Sequence, residues 1–216
     1  EELCENANLI SSQIDENQLL PPPFEGSTHH QILPFLVSTF LENNKIIILD
    51  FGGGNQTAFD SCRMFSKIDN LEIHIIETKE FVEISKKLGE RNSHVLWHDK
   101  LPNSLNKIDI LNLGSSLQYV NDYKKKLMDL MEYKPTFILF TDYFMGKAET
   151  YATKQVNITD LVIPFWVFNL NEIISIASSQ GYELVFKSTN YQKPRNFNIP
   201  EEYQVEDSCN LLFKLL

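Results

Sequence analysis

From residue 45 onward, short apolar runs alternate with longer amphipathic stretches, a pattern that predicts βαβ units around a parallel sheet. The runs are Lys45-Ile46-Ile47-Ile48-Leu49, Leu71-Glu72-Ile73-His74-Ile75-Ile76, His94-Val95-Leu96-Trp97, Ile108-Asp109-Ile110-Leu111-Asn112-Leu113 and Thr136-Phe137-Ile138-Leu139-Phe140. Their length suits strands rather than helices. Between them, apolar positions at helical spacing predict helices near Thr57 to Ser66, Lys79 to Arg91 and Tyr123 to Glu132. A further helix is expected from Asn169 to Gln180, with Gly181 as its C-cap, before the runs Glu183-Leu184-Val185-Phe186-Lys187 and Asn210-Leu211-Leu212-Phe213-Lys214. The polar stretch between these last two runs holds Pro194 and Pro200 and has no helical periodicity. Two strands joined without a crossover helix must be antiparallel.

The expected fold is therefore α/β: a Rossmann-like three-layer sandwich, with a seven-stranded, mostly parallel sheet ending in an antiparallel C-terminal strand pair. Ahead of residue 45, Gln18-Leu19-Leu20-Pro21-Pro22-Pro23 is irregular. It is followed by a predicted helix from about Thr28 to Asn43, with Ile32, Leu33, Phe35, Leu36, Phe40 and Leu41 at helical spacing. Ser27 or Thr28 can serve as its N-cap, and Pro34 is tolerable near the first turn. Residues 1–44 thus read as a helical lead-in and cover, and 45–216 as the core, of one domain. A chain of 216 residues and 25.0 kDa suits a single well-filled α/β domain.

Composition narrows the partners. The formal net charge is −10 and the sequence pI about 5.0, so the chain lacks the basic footprint that a phosphate backbone requires, and a nucleic-acid partner is not expected. The one basic cluster, Lys124-Lys125-Lys126, reads as a solvated helix face. Three cysteines, Cys4, Cys62 and Cys209, fit neither a disulfide framework nor a zinc site, so no metal is expected and the compartment is a reducing one. No apolar run reaches the roughly 18 residues of a membrane span, and Glu1-Glu2-Leu3-Cys4-Glu5 is acidic where a leader would be basic. A cytoplasmic protein without a membrane span is the expectation, and a homodimer is left open.

The strongest chemical signal is Ile46-Ile47-Ile48-Leu49-Asp50-Phe51-Gly52-Gly53-Gly54-Asn55, a strand ending in an acid and opening a glycine loop before a helix. Glycine lets the backbone turn sharply and approach a ligand, with the helix N-terminus facing it. The run resembles the first motif of class I S-adenosylmethionine-dependent methyltransferases. Five parallel strands followed by an antiparallel pair is also the arrangement of that class. The resemblance implies that Asp50, Phe51, Gly52, Gly53 and Gly54 bind the methionine part of S-adenosylmethionine, leaving S-adenosylhomocysteine as product. An NAD(P)-dependent oxidoreductase would need G-x-G-x-x-G, whose third glycine is replaced by Thr57, and Asp50 would repel a pyrophosphate.

The second strand ends at Glu77, 27 residues after Asp50, placed to accept both ribose hydroxyls of an adenosine, with Glu80 a nearby competitor. In the class, the end of the third strand reaches the adenine amino group, which points to Asp99 with His98 beside the ring. The exit of the fourth strand, Leu113-Gly114-Ser115-Ser116-Leu117-Gln118-Tyr119-Val120, should face the methyl group, with Ser115 and Ser116 toward the cofactor and Gln118 and Tyr119 toward the acceptor. For an oxygen acceptor the protein aligns the reactants and removes a proton. Asp142, at the expected end of the fifth strand, is the first candidate for that step, with His98 and Tyr119 as alternatives. Tyr143, Tyr151, Gln155, Phe165 and Trp166 are candidates to hold or wall the acceptor.

Taken together, the Asp-Phe-Gly-Gly-Gly loop, Ser-Ser-Leu-Gln-Tyr-Val, Gln155, Pro164-Phe165-Trp166, Gly181-Tyr182-Glu183-Leu184 and Leu211-Leu212-Phe213 resemble a bacterial family classed as methyltransferases, whose members often occur among surface-polysaccharide genes. The resemblance covers roughly Ile46 to Leu216. It implies an O-methyltransferase acting on a small hydroxylated acceptor such as a sugar. The chain departs from the family at Asn55-Gln56, and at Asp142-Tyr143-Phe144 in place of Asp-Arg-Thr, which leaves no arginine there for an anionic substrate. The rival from another class is a non-catalytic binding or regulatory module that keeps the fold.

Overall fold

The computed structural model describes residues 32–39, 45–54, 57–65, 70–87, 93–103, 105, 107–158, 161–190, 193–194 and 196–216. The expectations placed on Cys4, the proline run, both ends of the first helix and Asn55-Gln56 lie outside the described residues. The chain divides into two compact units, Glu1–Asn112 and Leu113–Leu216.

In the first unit, α1 (Ile32–Ser38) falls inside the expected first helix and buries Leu33, Pro34, Leu36 and Val37. There follow β1 (Ile46–Phe51), α2 (Thr57–Phe65), β2 (Leu71–Ile76), α3 (Lys79–Lys87), β3 (Val95–His98) and the start of β4 (Ile110–Gly114). The strands lie in the order β3-β2-β1-β4, every neighbour parallel. Consecutive residues Ile48, Leu49 and Asp50 are all buried, so β1 is covered on both faces, which is why it reads as a continuous apolar run. Register places Asp50 beside Ile75 on one side and Asn112 on the other.

In the second unit, the last residues of β4 lead to a 3₁₀ turn, Leu117–Tyr119. Then come α4 (Tyr123–Met131), β5 (Phe137–Gly146), β6 (Tyr151–Ile158), β7 (Leu161–Asn169), α5 (Leu170–Ser179), β8 (Tyr182–Thr189) and β9 (Ser208–Leu215). Both helices are N-capped by side chains: Asp122 accepts from Lys125 N and Asn169 from Glu172 N. Gly181 follows α5 at φ +86°, the left-handed conformation that ends a helix. The expected antiparallel C-terminal pair is β8 with β9, and β9 also pairs antiparallel with β5.

Two differences from the expected strands matter. β5 does not end at Phe140 but continues to Gly146 through an irregularity between Phe140 and Tyr143. In addition to the seven expected strands there is an antiparallel hairpin, β6 with β7, whose β7 runs parallel to the end of β5. Phe165 and Val167 of this hairpin form an apolar cluster with Val205, with Phe144 and Tyr151 packed against it.

Candidate active site

In the first unit, the glycine loop is built around a buried carboxylate. Asp50 is 1% exposed, and its Oδ1 accepts from Asn112 Nδ2 at 2.7 Å. Its Oδ2 is sealed with no hydrogen-bond partner among the described residues. Burial pushes the Asp50 pKa from 3.8 up to about 6, against the Asn112 bond, with Glu77 adding to the rise. Gly53 rests on this carboxylate: a Cβ there would fall inside it, 2.6 Å from Cγ. Gly52 and Gly54 sit at φ +72° and +57°, which a side chain disfavours. Among the described residues, a Cβ on Gly54 would meet nothing within 4 Å, so the loop presents an open face to them there.

Glu77 joins the loop from the end of β2. Its Oε1 accepts from Gly54 N at 3.1 Å and its Oε2 from Thr78 N at 3.0 Å, which fixes the carboxylate and leaves lone pairs for further donors. The adjacent strand end is tied in by Glu77 N, which donates to His98 O at 3.0 Å. His98 Nε2 lies 2.9 Å from His74 Nδ1, and its pKa is lowered by burial, with His74 and Lys86 adding to the effect and Asp99 opposing it. His98 is therefore neutral near pH 7, with its Nε2 committed to His74. Asp99 is exposed just beyond it.

The second unit brings together most of the expected acceptor-side residues. Ser115 has φ +50° and Asp142 φ +63°, two non-glycine residues in the left-handed region, and they are neighbours: Ser115 N donates to Thr141 O at 3.0 Å. Such strain is held only where surroundings impose it, and it clusters at functional sites. Asp142 is 6% exposed; Asn210 Oδ1 accepts from its N at 2.9 Å, and Asn190 Nδ2 donates to its Oδ1 at 3.4 Å. Gln118 Nε2 donates to Ser115 Oγ at 2.6 Å, and Tyr119 OH donates to Gln155 Oε1 at 2.9 Å. The Gln118 Oε1 is buried with no partner among the described residues, an arrangement that a hydrogen-bond donor on a ligand would complete. Tyr119 packs edge-on against Phe165, and burial raises its pKa, so its phenol is a donor at neutral pH and not the base first considered.

Three of the expected acceptor residues are engaged within the protein. Tyr143 is wholly buried, and its hydroxyl accepts from Ser116 N at 3.2 Å and Leu117 N at 2.9 Å, so it props the segment from beneath. Burial pushes its pKa to about 12. Tyr151 OH donates to Tyr203 O at 2.7 Å, and the residue packs against the cluster of Phe165, Val167 and Val205. Trp166 Nε1 donates to Val120 O at 3.0 Å and its ring packs on Tyr123, an anchoring position. Asp142 is not at a strand end but inside β5, displayed by the irregularity. Asn112, Asn190, Asn210 and the Glu72–His74 pair were not foreseen; the only sequence signal was a lone polar residue within an otherwise apolar run, as at Asn112.

No family model matches the chain, and no curated protein matches its sequence. Solved structures do match its fold. An S-adenosylmethionine-dependent methyltransferase from Methanosarcina mazei aligns with a TM-score of 0.58 at 10% identity, over 84% of this chain and 97% of that one. The CcbJ methyltransferase from Streptomyces caelestis aligns at 0.56 and 11%, over 97% and 95%. The 1,6-didemethyltoxoflavin-N1-methyltransferase from Burkholderia thailandensis, solved with 1,6-didemethyltoxoflavin and S-adenosylhomocysteine, aligns at 0.55 and 10%, over 99% and 88%. The chain has the Rossmann-like fold of these methyltransferases.

Proposed function

We propose that the chain is an S-adenosylmethionine-dependent methyltransferase for a small hydroxylated acceptor. The observation that carries this reading is the loop of the first unit: Gly53 laid on the buried Asp50 and Gly54 N bonded to Glu77, in a fold shared with methyltransferases. The residues fit the cofactor. The open face at Gly54 suits the methionine part, Glu77 has lone pairs for ribose hydroxyls, and His98 and Asp99 follow at the next strand end for the base. When bound, the sulfonium supplies an electrophilic methyl group.

The chain's own residues orient the acceptor and manage its proton. Asp142, its backbone fixed by Asn210 and its carboxylate by Asn190, takes the proton of the acceptor hydroxyl. Gln118, Tyr119 and Gln155 hydrogen-bond the acceptor, and Phe165 walls it. The sequence resemblance supports a sugar as that acceptor, and the absence of an arginine beside Asp142 favours a neutral one. Incubation with methyl-labelled S-adenosylmethionine and a panel of neutral sugars tests the reading. Label transferred to a hydroxyl, and lost with Asp142→Asn, supports it. Cofactor binding with no acceptor methylated in a broad extract favours the non-catalytic module instead, and stabilisation by NAD but not by S-adenosylhomocysteine in a thermal-shift comparison favours the oxidoreductase.

A further inference from the structure

Glu72, His74 and His98 share one face of the β2–β3 pair, because His98 stands opposite Ile76 in the parallel register. Their side chains join end to end. Lys45 Nζ pairs with Glu72 Oε2 at 2.8 Å, Glu72 Oε1 lies 3.0 Å from His74 Nε2, and His74 Nδ1 lies 2.9 Å from His98 Nε2. The two rings are within 14° of parallel, with centroids 5.1 Å apart. Centroids that far apart, with two nitrogens at hydrogen-bond distance, describe an end-on contact in a common plane and not face-to-face stacking. The contact is an N–H···N bond, so one nitrogen carries the proton and the other is bare.

The chain of partners decides which. Burial would raise the Glu72 pKa, but its bonds to Lys45 and His74 bring it below the ordinary value, so Glu72 is a carboxylate and only accepts. His74 Nε2 must then carry hydrogen. A neutral His74 has a bare Nδ1, and the shared proton belongs to His98 Nε2. A neutral His98 so protonated has a lone pair on Nδ1, for which the described residues provide no partner. That atom belongs to the residue at the carboxyl end of β3, whose carbonyl is bonded to Glu77 N. The charged groups around His98 are Lys86 and Asp99.

We propose that Glu72 and His74 are positioning residues that hold His98 in its Nε2–H form, so that Nδ1 accepts a hydrogen bond from a purine amino group. This deepens the cofactor reading above and rests on it. A 6-oxo purine would set an oxygen lone pair against Nδ1 and bind more weakly. Glu72→Leu frees the His74 proton and lets His98 exchange tautomers, whereas Glu72→Gln keeps an oxygen acceptor and preserves the order.

The test combines imidazole ¹⁵N resonances of the ligand-free protein with calorimetric titrations of S-adenosylhomocysteine and its deaminated analogue S-inosylhomocysteine. The expected result is a protonated Nε2 and bare Nδ1 at His98, with the amino ligand favoured by about tenfold, the worth of one good hydrogen bond. The preference falls severalfold in Glu72→Leu and is restored in Glu72→Gln. A protonated Nδ1 in the wild type overturns the proposal, and the wild-type spectrum decides this whether or not the leucine variant folds. Equal affinities for the two ligands overturn it while leaving the cofactor reading intact. Absence of binding by both overturns the two together.

Discussion

Replacing Asp50 with asparagine should stabilise the ligand-free protein at neutral pH. The carboxylate is sealed, one oxygen bonded to Asn112 and the other without a partner among the described residues, and burial pushes its pKa from 3.8 to about 6. An acid whose pKa is higher folded than unfolded weakens the fold once it ionises. The penalty is absent below 3.8, grows between 3.8 and about 6, and is complete above. At about 1.4 kcal/mol per pH unit, it amounts to about 3 kcal/mol near pH 7.5 and roughly half that near pH 5. Asp50→Asn keeps the acceptor for Asn112, substitutes an isosteric group for the unpartnered oxygen and removes the charge. Urea unfolding of both proteins at the two pH values measures the difference directly. The variant should be the more stable at the higher pH, with its advantage roughly halved at the lower. An advantage that does not change with pH, or a variant less stable at both, would refute the reasoning.

Other substitutions separate support of the loop from contact with a ligand. Gly53→Ala forces a methyl into the Asp50 carboxylate and against Ile75, and should cost about 1–3 kcal/mol in denaturant unfolding. Gly54→Ala meets no atom of the described residues within 4 Å and carries the strain of its φ of +57°, about 1–2 kcal/mol, yet should abolish S-adenosylhomocysteine binding in calorimetry by filling the open face. Tyr143→Phe leaves the Ser116 and Leu117 N–H groups without their acceptor and should cost at least about 2 kcal/mol, read by the same unfolding assay. Asp142→Asn should lower kcat by about 10²–10⁴ with cofactor affinity unchanged, since it touches the acceptor's proton alone.

What the sequence made legible were features that depend on neighbours along the chain. The four parallel strands announced themselves as buried runs, and the Asp50 loop as glycines where a positive φ or a close approach excludes a side chain. The C-cap at Gly181 followed from the same local logic. The hairpin of β6 and β7 did not, because Tyr151-Ala-Thr-Lys-Gln-Val alternates weakly and Pro164 interrupts the apolar run of its partner strand, where proline removes a ladder donor. Asp142 hid its strand because a polar pair, Thr141-Asp142, breaks the run that ends at Phe140. The bond of Asn112 to Asp50, 62 residues apart, and that of His74 to His98, 24 apart, depend on strand register, which no local pattern encodes. Tyr143 looked like a contact residue from its place beside Asp142, but in a strand successive side chains face opposite ways, and its ring went to the core.

The central claim is that the first unit holds an adenosylated cofactor on the loop supported by Asp50 and Glu77. Calorimetric titration of the wild-type protein and Gly54→Ala with S-adenosylhomocysteine tests it most directly. One ligand per chain bound by the wild type, with none bound by a variant that still unfolds cooperatively, is the predicted result. No binding by the wild type at millimolar ligand, or equal binding by both proteins, would contradict it.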